Sequence, residues 1–148
     1  MPPRRDTPWP DPVTIHATTV ASDGSGILII GASGSGKSGL AIELIARGAR
    51  LVADDRTIVD RHPDRIIARP PDAIANRIEA RGVGILAAPG LAEAPLRLVV
   101  DMDHLETQRL PDWHETEILG LPLPCLRKSL HSHFPAAILL YVAGCRLV

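Results

Sequence analysis

Gly31-Ala32-Ser33-Gly34-Ser35-Gly36-Lys37-Ser38 satisfies the pattern G-x-x-x-x-G-K-[ST] at every fixed position. Its flanks constrain the fold further. The apolar run Ile27-Leu28-Ile29-Ile30 reads as a buried strand that feeds straight into the glycines. Leu40-Ala41-Ile42-Glu43-Leu44-Ile45-Ala46-Arg47 reads as an amphipathic helix, with Gly48 as its stop. Strand, glycine loop and helix in that order make a loop whose backbone N–H groups turn inward to cradle phosphates. The helix N-terminus adds unpaired N–H groups and the positive end of its dipole. In such a loop Lys37 bridges the outer phosphates and the Ser38 hydroxyl ligates magnesium. The competing reading is a Gly/Ser-rich turn before a helix carrying one exposed lysine.

Composition narrows the setting. The chain has 148 residues, of which 45% are hydrophobic, but only one Phe and one Tyr. The core must therefore be built from Ile, Leu, Val and Ala. A net charge of −1 gives no global bias toward nucleic acid or membrane, and neither is expected as a partner. Lys37 and Lys128 are the only lysines, which makes a lysine at the loop position hard to ascribe to chance. Cys125 and Cys145 are too few for a disulfide framework or a zinc site and read as free thiols. The start Met1-Pro2-Pro3-Arg4-Arg5-Asp6 has no apolar stretch behind its charges, and no run reaches membrane-spanning length. The expected location is the cytoplasm.

Along the chain, residues 1–12 carry five prolines and read as a loose tail ahead of one domain over 13–148. Val13 to Ala21 is rich in β-branched residues and reads as one strand. Arg50 to Asp55 reads as a short strand continued by Arg56 to Asp60. Ile66–Arg69 and Leu96–Met102 read as strands, and Asp72–Asn76 as one helical turn. Leu105 to Glu117 reads as loop, Ile118 to Leu126 as an apolar segment interrupted by Pro122 and Pro124, and Ser132 to Ala143 as a closing helix. Strands separated by hairpin-length gaps predict an α/β fold with a mixed sheet and few helices. A doubly wound parallel sheet would need a helix between most strands.

Asp54 and Asp55 return only 16 residues after Ser38. One helix and one strand bring two carboxylates back beside the loop. Phosphoryl transfer needs a base for the accepting hydroxyl and a carboxylate on the metal side. The competing reading is a solvated acidic strand end.

Taken together, His16-Ala17-Thr18, the loop, Glu43-Leu44, Arg47-Gly48, Leu51-Val52-Ala53-Asp54-Asp55 and Ile78-Glu79-Ala80-Arg81-Gly82-Val83-Gly84-Ile85 resemble the catalytic domain of HPr kinase/phosphorylase. The resemblance covers about residues 13 to 100. It implies a P-loop-containing sheet of the HPr kinase/PEP carboxykinase-like type. It also implies a kinase that uses ATP and Mg2+ to phosphorylate a serine of HPr, the phosphocarrier of the sugar phosphotransferase system. In the reverse direction inorganic phosphate removes the group. By position, Gly31 to Ser38 hold the nucleotide phosphates, and Asp54 is the base and, in reverse, the proton donor. Ser38, Asp55 and Glu79 form the metal side, Arg81 lies near the site, and His16 lies close to the phosphates. From the residues alone His16 is equally a strand histidine with a local hydrogen bond. A hexamer is implied weakly.

This sequence departs from the family in places. Gly39 stands where the family carries a metal-side Glu. The family's N-terminal domain is missing, and the chain ends early, as in short forms. Leu121 to Lys128 is faintly similar to a proline-rich segment that touches the protein substrate. Arg127 would then stabilise the transferring phosphoryl group, or else it opens a basic helix start. Two other functions stay open: a small-molecule kinase or nucleotide hydrolase, and a nucleotide-binding regulator without chemistry.

Overall fold

The computed structural model describes residues 7–88 and 90–144. Half of the expected tail, residues 1–6, and Cys145 lie outside them. The strands are β1 (Val13–Ile15), β2 (Ala17–Ser22), β3 (Ser25–Ile30), β4 (Arg50–Ala53), β5 (Thr57–Arg61), β6 (Ile66–Arg69), β7 (Arg77–Ala80), β8 (Gly84–Ala87), β9 (Ala94–Leu105), β10 (His114–Ile118) and β11 (Leu121–Lys128). Helices α1 (Lys37–Ala46) and α2 (Phe134–Val142) and a 3-10 turn at Asp72–Ile74 complete the described chain. The expected mixed sheet with few helices is what forms.

The long strand β9 organises the sheet. One edge pairs in parallel with β3 from Gly26↔Leu96 to Ile30↔Asp101. The other edge takes β6 at Pro95 and Ala94, then β11 in parallel from Val99 onward. At its site end the sheet therefore runs β10-β11-β9-β3-β2-β4. Side chains alternate across the central strands. Ile27, Ile29, Leu98 and Val100 face α1 and α2, meeting Leu40, Leu44 and Ile138. Leu28, Val99 and Val52 face the other way, against Val59, Ile66 and Ala68 of the β5–β6 hairpin. Covered on both faces, β3 has to be a continuous apolar run, which is how its sequence reads.

Helix α1 ends as Gly48 predicts. Gly48, at φ 106, donates to the Ile45 carbonyl at 3.0 Å, and Ala49 N–H donates to the Leu44 carbonyl at 3.0 Å. These are the paired bonds of a Schellman motif, and Ala49 packs in the same cluster as Leu44. The turn drops the chain directly into β4.

Four expectations change. The run Val13 to Ala21 is two strands, because the chain switches partners at His16: Ile15 lies opposite Thr57, whereas Ala17 lies opposite Ile30. Arg56 to Asp60 does not extend β4. The strand stops at Ala53, Asp55 takes φ 66, and β5 joins β1 and β6 instead. Within the polar stretch 105–117, β9 runs on through Leu105 and β10 begins at His114. An edge strand with no fully buried side chain shows no apolar face to read. Pro122 and Pro124 sit inside β11. They occupy equivalent ladder positions two residues apart, ahead of Cys125, where pairing to β9 begins.

Gly90 fixes how the loop after β8 meets β4. A Cβ there would lie 1.7 Å from the Leu51 carbonyl oxygen. Gly90 bridges Leu51, and the next residue, Leu91, donates to that same carbonyl at 2.9 Å. Gly90→Ala is expected to destabilise the chain by about 3 kcal/mol through backbone overpacking, read as a lower urea midpoint at unchanged slope.

Candidate active site

The phosphate loop spans the end of β3 and the start of α1. Gly36, at φ 98, is the residue before the helix, a conformation that β-carbon sterics discourage in other residues. Gly31 lies so close to Ser35 that a Cβ on it would meet the Ser35 hydroxyl oxygen at 2.5 Å. Lys37 is buried, 6% exposed, and its Nζ donates to the Ala32 carbonyl at 3.1 Å.

The carboxylates reach this loop because β2 pairs with both β3 and β4: Thr18 lies opposite Ile29, and Thr19 opposite Ala53. Thr18 and Thr19 are fully buried. Asp54, the first residue past β4, turns toward the loop. Its Oδ1 accepts from Ser38 Oγ at 2.7 Å and from Thr18 Oγ1 at 3.2 Å, and its Oδ2 accepts the Glu79 N–H at 3.0 Å. Three donors from three elements hold the carboxylate in one orientation. Asp55 points elsewhere. Its N–H donates to Thr18 Oγ1 at 3.0 Å, and its Oδ1 meets His16 Nε2 at 2.6 Å, with both side chains about half exposed.

The structure thus gathers Lys37, Ser38, Asp54 and Thr18, with the Asp55–His16 pair beside them. Glu79 enters through its backbone, and its side chain is exposed. Among the described residues no cluster of three or more His, Cys, Asp or Glu could hold a metal ion. Of the expected set of Ser38, Asp55 and Glu79, Ser38 is bonded to Asp54 and Asp55 to His16. Arg127 is exposed on β11, opposite Asp101 in the parallel register.

Two residues not singled out from the sequence touch the loop. Asp103 accepts the Ala32 N–H with both carboxylate oxygens, at 3.0 and 3.1 Å. Lys128 Nζ donates to the Ser35 carbonyl at 3.2 Å. The signal for Lys128 was its rarity: both lysines of the chain reach the phosphate loop. For Asp103 no local signal exists.

The loop's residues fit a phosphate chain held with Mg2+. Lys37 is a buried cation bonded to a single carbonyl, and the buried Ser35 hydroxyl has no hydrogen-bond partner. An anionic oxygen in the cradle would satisfy both. Magnesium takes few protein ligands and completes its shell with phosphate oxygens and water, so Ser38 with one carboxylate suffices.

Behind the loop, burial pushes the Cys125 thiol up, with the Asp101 charge adding and the Arg127 charge opposing. The neutral thiol is thereby favoured in the folded state, and the stability this gives is lost as pH rises through the raised value. In a Cys145→Ser background, iodoacetamide is expected to alkylate Cys125 at pH 8 about tenfold more slowly in the native protein than in urea, as followed by mass spectrometry.

A mixed sheet with a phosphate loop at the end of a parallel strand, and a serine–carboxylate pair returning one helix later, defines a phosphoryl-transfer protein. The chain belongs to the HPr Serine kinase C-terminal domain family, whose match covers residues 10–120. A solved structure titled as the Hpr(Ser) kinase/phosphatase from Coxiella burnetii is similar to it with a TM-score of 0.74 and 26% identity, over 89% of this chain and 95% of that one. No helix among the described residues is long and apolar enough to cross a membrane.

Proposed function

We propose that this chain is a kinase that transfers the terminal phosphoryl group of ATP, with Mg2+, to a serine hydroxyl of HPr in the cytoplasm. The observation that carries the reading is the bond from Ser38 Oγ to Asp54 Oδ1, which joins the loop to a fixed carboxylate. Backbone N–H groups of the loop and Lys37 bind and orient the outer phosphates. Ser38 would hold Mg2+ at the loop, and the bound ion would neutralise charge building on the phosphate oxygens. Asp54 takes the proton of the attacking serine as the new O–P bond forms and the bond to ADP breaks. Running backward, Asp54 returns that proton to the serine oxygen while inorganic phosphate accepts the phosphoryl group, so pyrophosphate is the product.

The resemblance put Asp55 on the metal side. Its hydrogen-bond partner is His16, so we assign Asp55 to holding the His16 imidazole beside the loop. Arg127, on β11, lies across β3 from Asp54, and whether it acts in the transfer is read from Arg127→Ala in the assay below. The test incubates the protein with labelled ATP, Mg2+ and HPr. Label on an HPr serine, lost in Lys37→Ala, supports the reading. ATP hydrolysis with unlabelled HPr would sink it in favour of a nucleotide hydrolase. A hexamer follows from the family resemblance alone, and sedimentation velocity checks it.

Gly39 bears on activity directly. It is the third residue of α1, a Cβ on it meets nothing within 4 Å, and the first turn holds no acidic residue. Gly39→Glu gains helix propensity and places a negative charge at the positive end of the dipole. The variant is expected to be about 1 kcal/mol more stable by urea denaturation and to bind Mg2+·ATP at least as tightly as the parent, by calorimetry.

A further inference from the structure

We propose that the cavity between α2 and the segment after β9 receives the base of a purine nucleotide whose phosphates occupy the Gly31–Ser38 loop. This rests on the nucleotide reading above and extends it to the other end of the ligand.

Direction along the sheet comes first. The reacting end of the nucleotide is fixed by Asp54 and Ser38, on the β2–β4 flank of β3. A nucleotide threaded through the loop must leave toward the opposite flank, over the C-terminal ends of β9 and β11. Ligands of open α/β sheets lie beyond the carboxyl ends of such parallel strands. A cavity of about 650 Å3 opens on that flank, lined by residues 106–109, the end of β11 and one face of α2. That volume falls within the range of small-molecule sites.

The cavity is tied to the loop through one residue. Lys128 Nζ holds the Ser35 carbonyl at 3.2 Å, while the Lys128 carbonyl accepts the Glu106 N–H at 2.8 Å. Glu106 itself lines the cavity. The phosphate cradle and the cavity wall therefore share a strap.

The lining suits a flat heteroaromatic ring. The chain contains one Phe and one Tyr, and both Phe134 and Tyr141 line this space, beside Leu126 and Ile138. Phe134, Tyr141 and Leu126 also pack against the core, which holds the wall in place. Gln108 and Ser129 at the rim offer polar atoms to a base edge. Stacking on such a surface tolerates different purines.

Ala137 lines the cavity from the exposed side of α2, so a larger side chain there fills the space without entering the core. Calorimetry on the full chain compares ATP with inorganic tripolyphosphate, which carries the phosphates and no base. Ala137→Trp is expected to weaken ATP at least tenfold and leave tripolyphosphate within twofold, and Tyr141→Leu to do the same to a smaller degree. The proposal is overturned if both variants bind ATP like the parent, if both ligands weaken equally, or if the parent binds ATP no tighter than tripolyphosphate. A parent that binds neither ligand would remove the phosphate-loop reading itself, a result distinct from the other three.

Discussion

Asp54→Asn is expected to lower HPr phosphorylation by about 10^2- to 10^4-fold, the range lost when a positioned general base is removed, while ATP binding stays within a few-fold of the parent. The substitution keeps the shape of the side chain and removes its charge and half of its acceptor capacity. Ser38, Thr18 and the Glu79 amide all donate to this carboxylate. An amide can present its oxygen to the two hydroxyls only by turning its NH2 against the Glu79 N–H. The flip that relieves that contact sets two donors against two hydroxyls, which can rotate but then leave Ser38 misdirected. Some destabilisation therefore accompanies the loss, about 1 kcal/mol on the scale of an unmade hydrogen bond. Measuring kcat and ATP affinity separately isolates the chemical part. Asp55→Asn is the control that decides between the two carboxylates. With its charge shared only with the half-exposed His16, it should cost roughly tenfold or less. If Asp55→Asn abolishes transfer and Asp54→Asn leaves kcat intact, the two roles must be exchanged.

What the sequence made legible was local. Strand, glycine loop and helix lie within about two turns of one another along the chain, so periodicity and glycine chemistry identify them without knowledge of the rest. The return of Asp54 was legible for the same reason: one helix closed by Gly48 leaves the chain nowhere to go but back along the sheet. The behaviour of Asp55 was not, because its left-handed backbone arises where β4 ends and β5 joins another part of the sheet. Lys128 and Asp103 were out of reach for a different reason. They meet the loop across 93 and 71 residues, through the parallel pairing of β9 with β3 and of β11 with β9. Parallel registers carry no turn signal, and β11 hides its strand character behind two prolines. The switch at His16 is a change of partner at a bend inside one β-branched run, and composition is blind to partners.

Lys37→Ala is expected to abolish HPr phosphorylation and yet leave the ligand-free chain as stable as the parent, or more so. In the ligand-free fold Lys37 is a nearly buried ammonium whose bond is to a single neutral carbonyl, that of Ala32. Taking a cation out of water costs several kcal/mol that one carbonyl does not return. The residue is thus placed for a ligand at the expense of the fold's own stability. Alanine at N1 of α1 keeps a good helix former, and the exposed Ala32 backbone can find water. With phosphates bound the balance inverts, because the same burial strengthens the charge-assisted bonds. Thermal unfolding with and without Mg2+·ATP reads both halves. At a ligand concentration about 100-fold above Kd the parent gains about 2.7 kcal/mol, or roughly 5 to 11 °C for a domain of this size. The variant should show none of that gain from an equal or higher ligand-free Tm. A ligand-free Tm several degrees below the parent would mean that Lys37 is a structural cation, and the loop would lose its strongest physical sign of being built for phosphate.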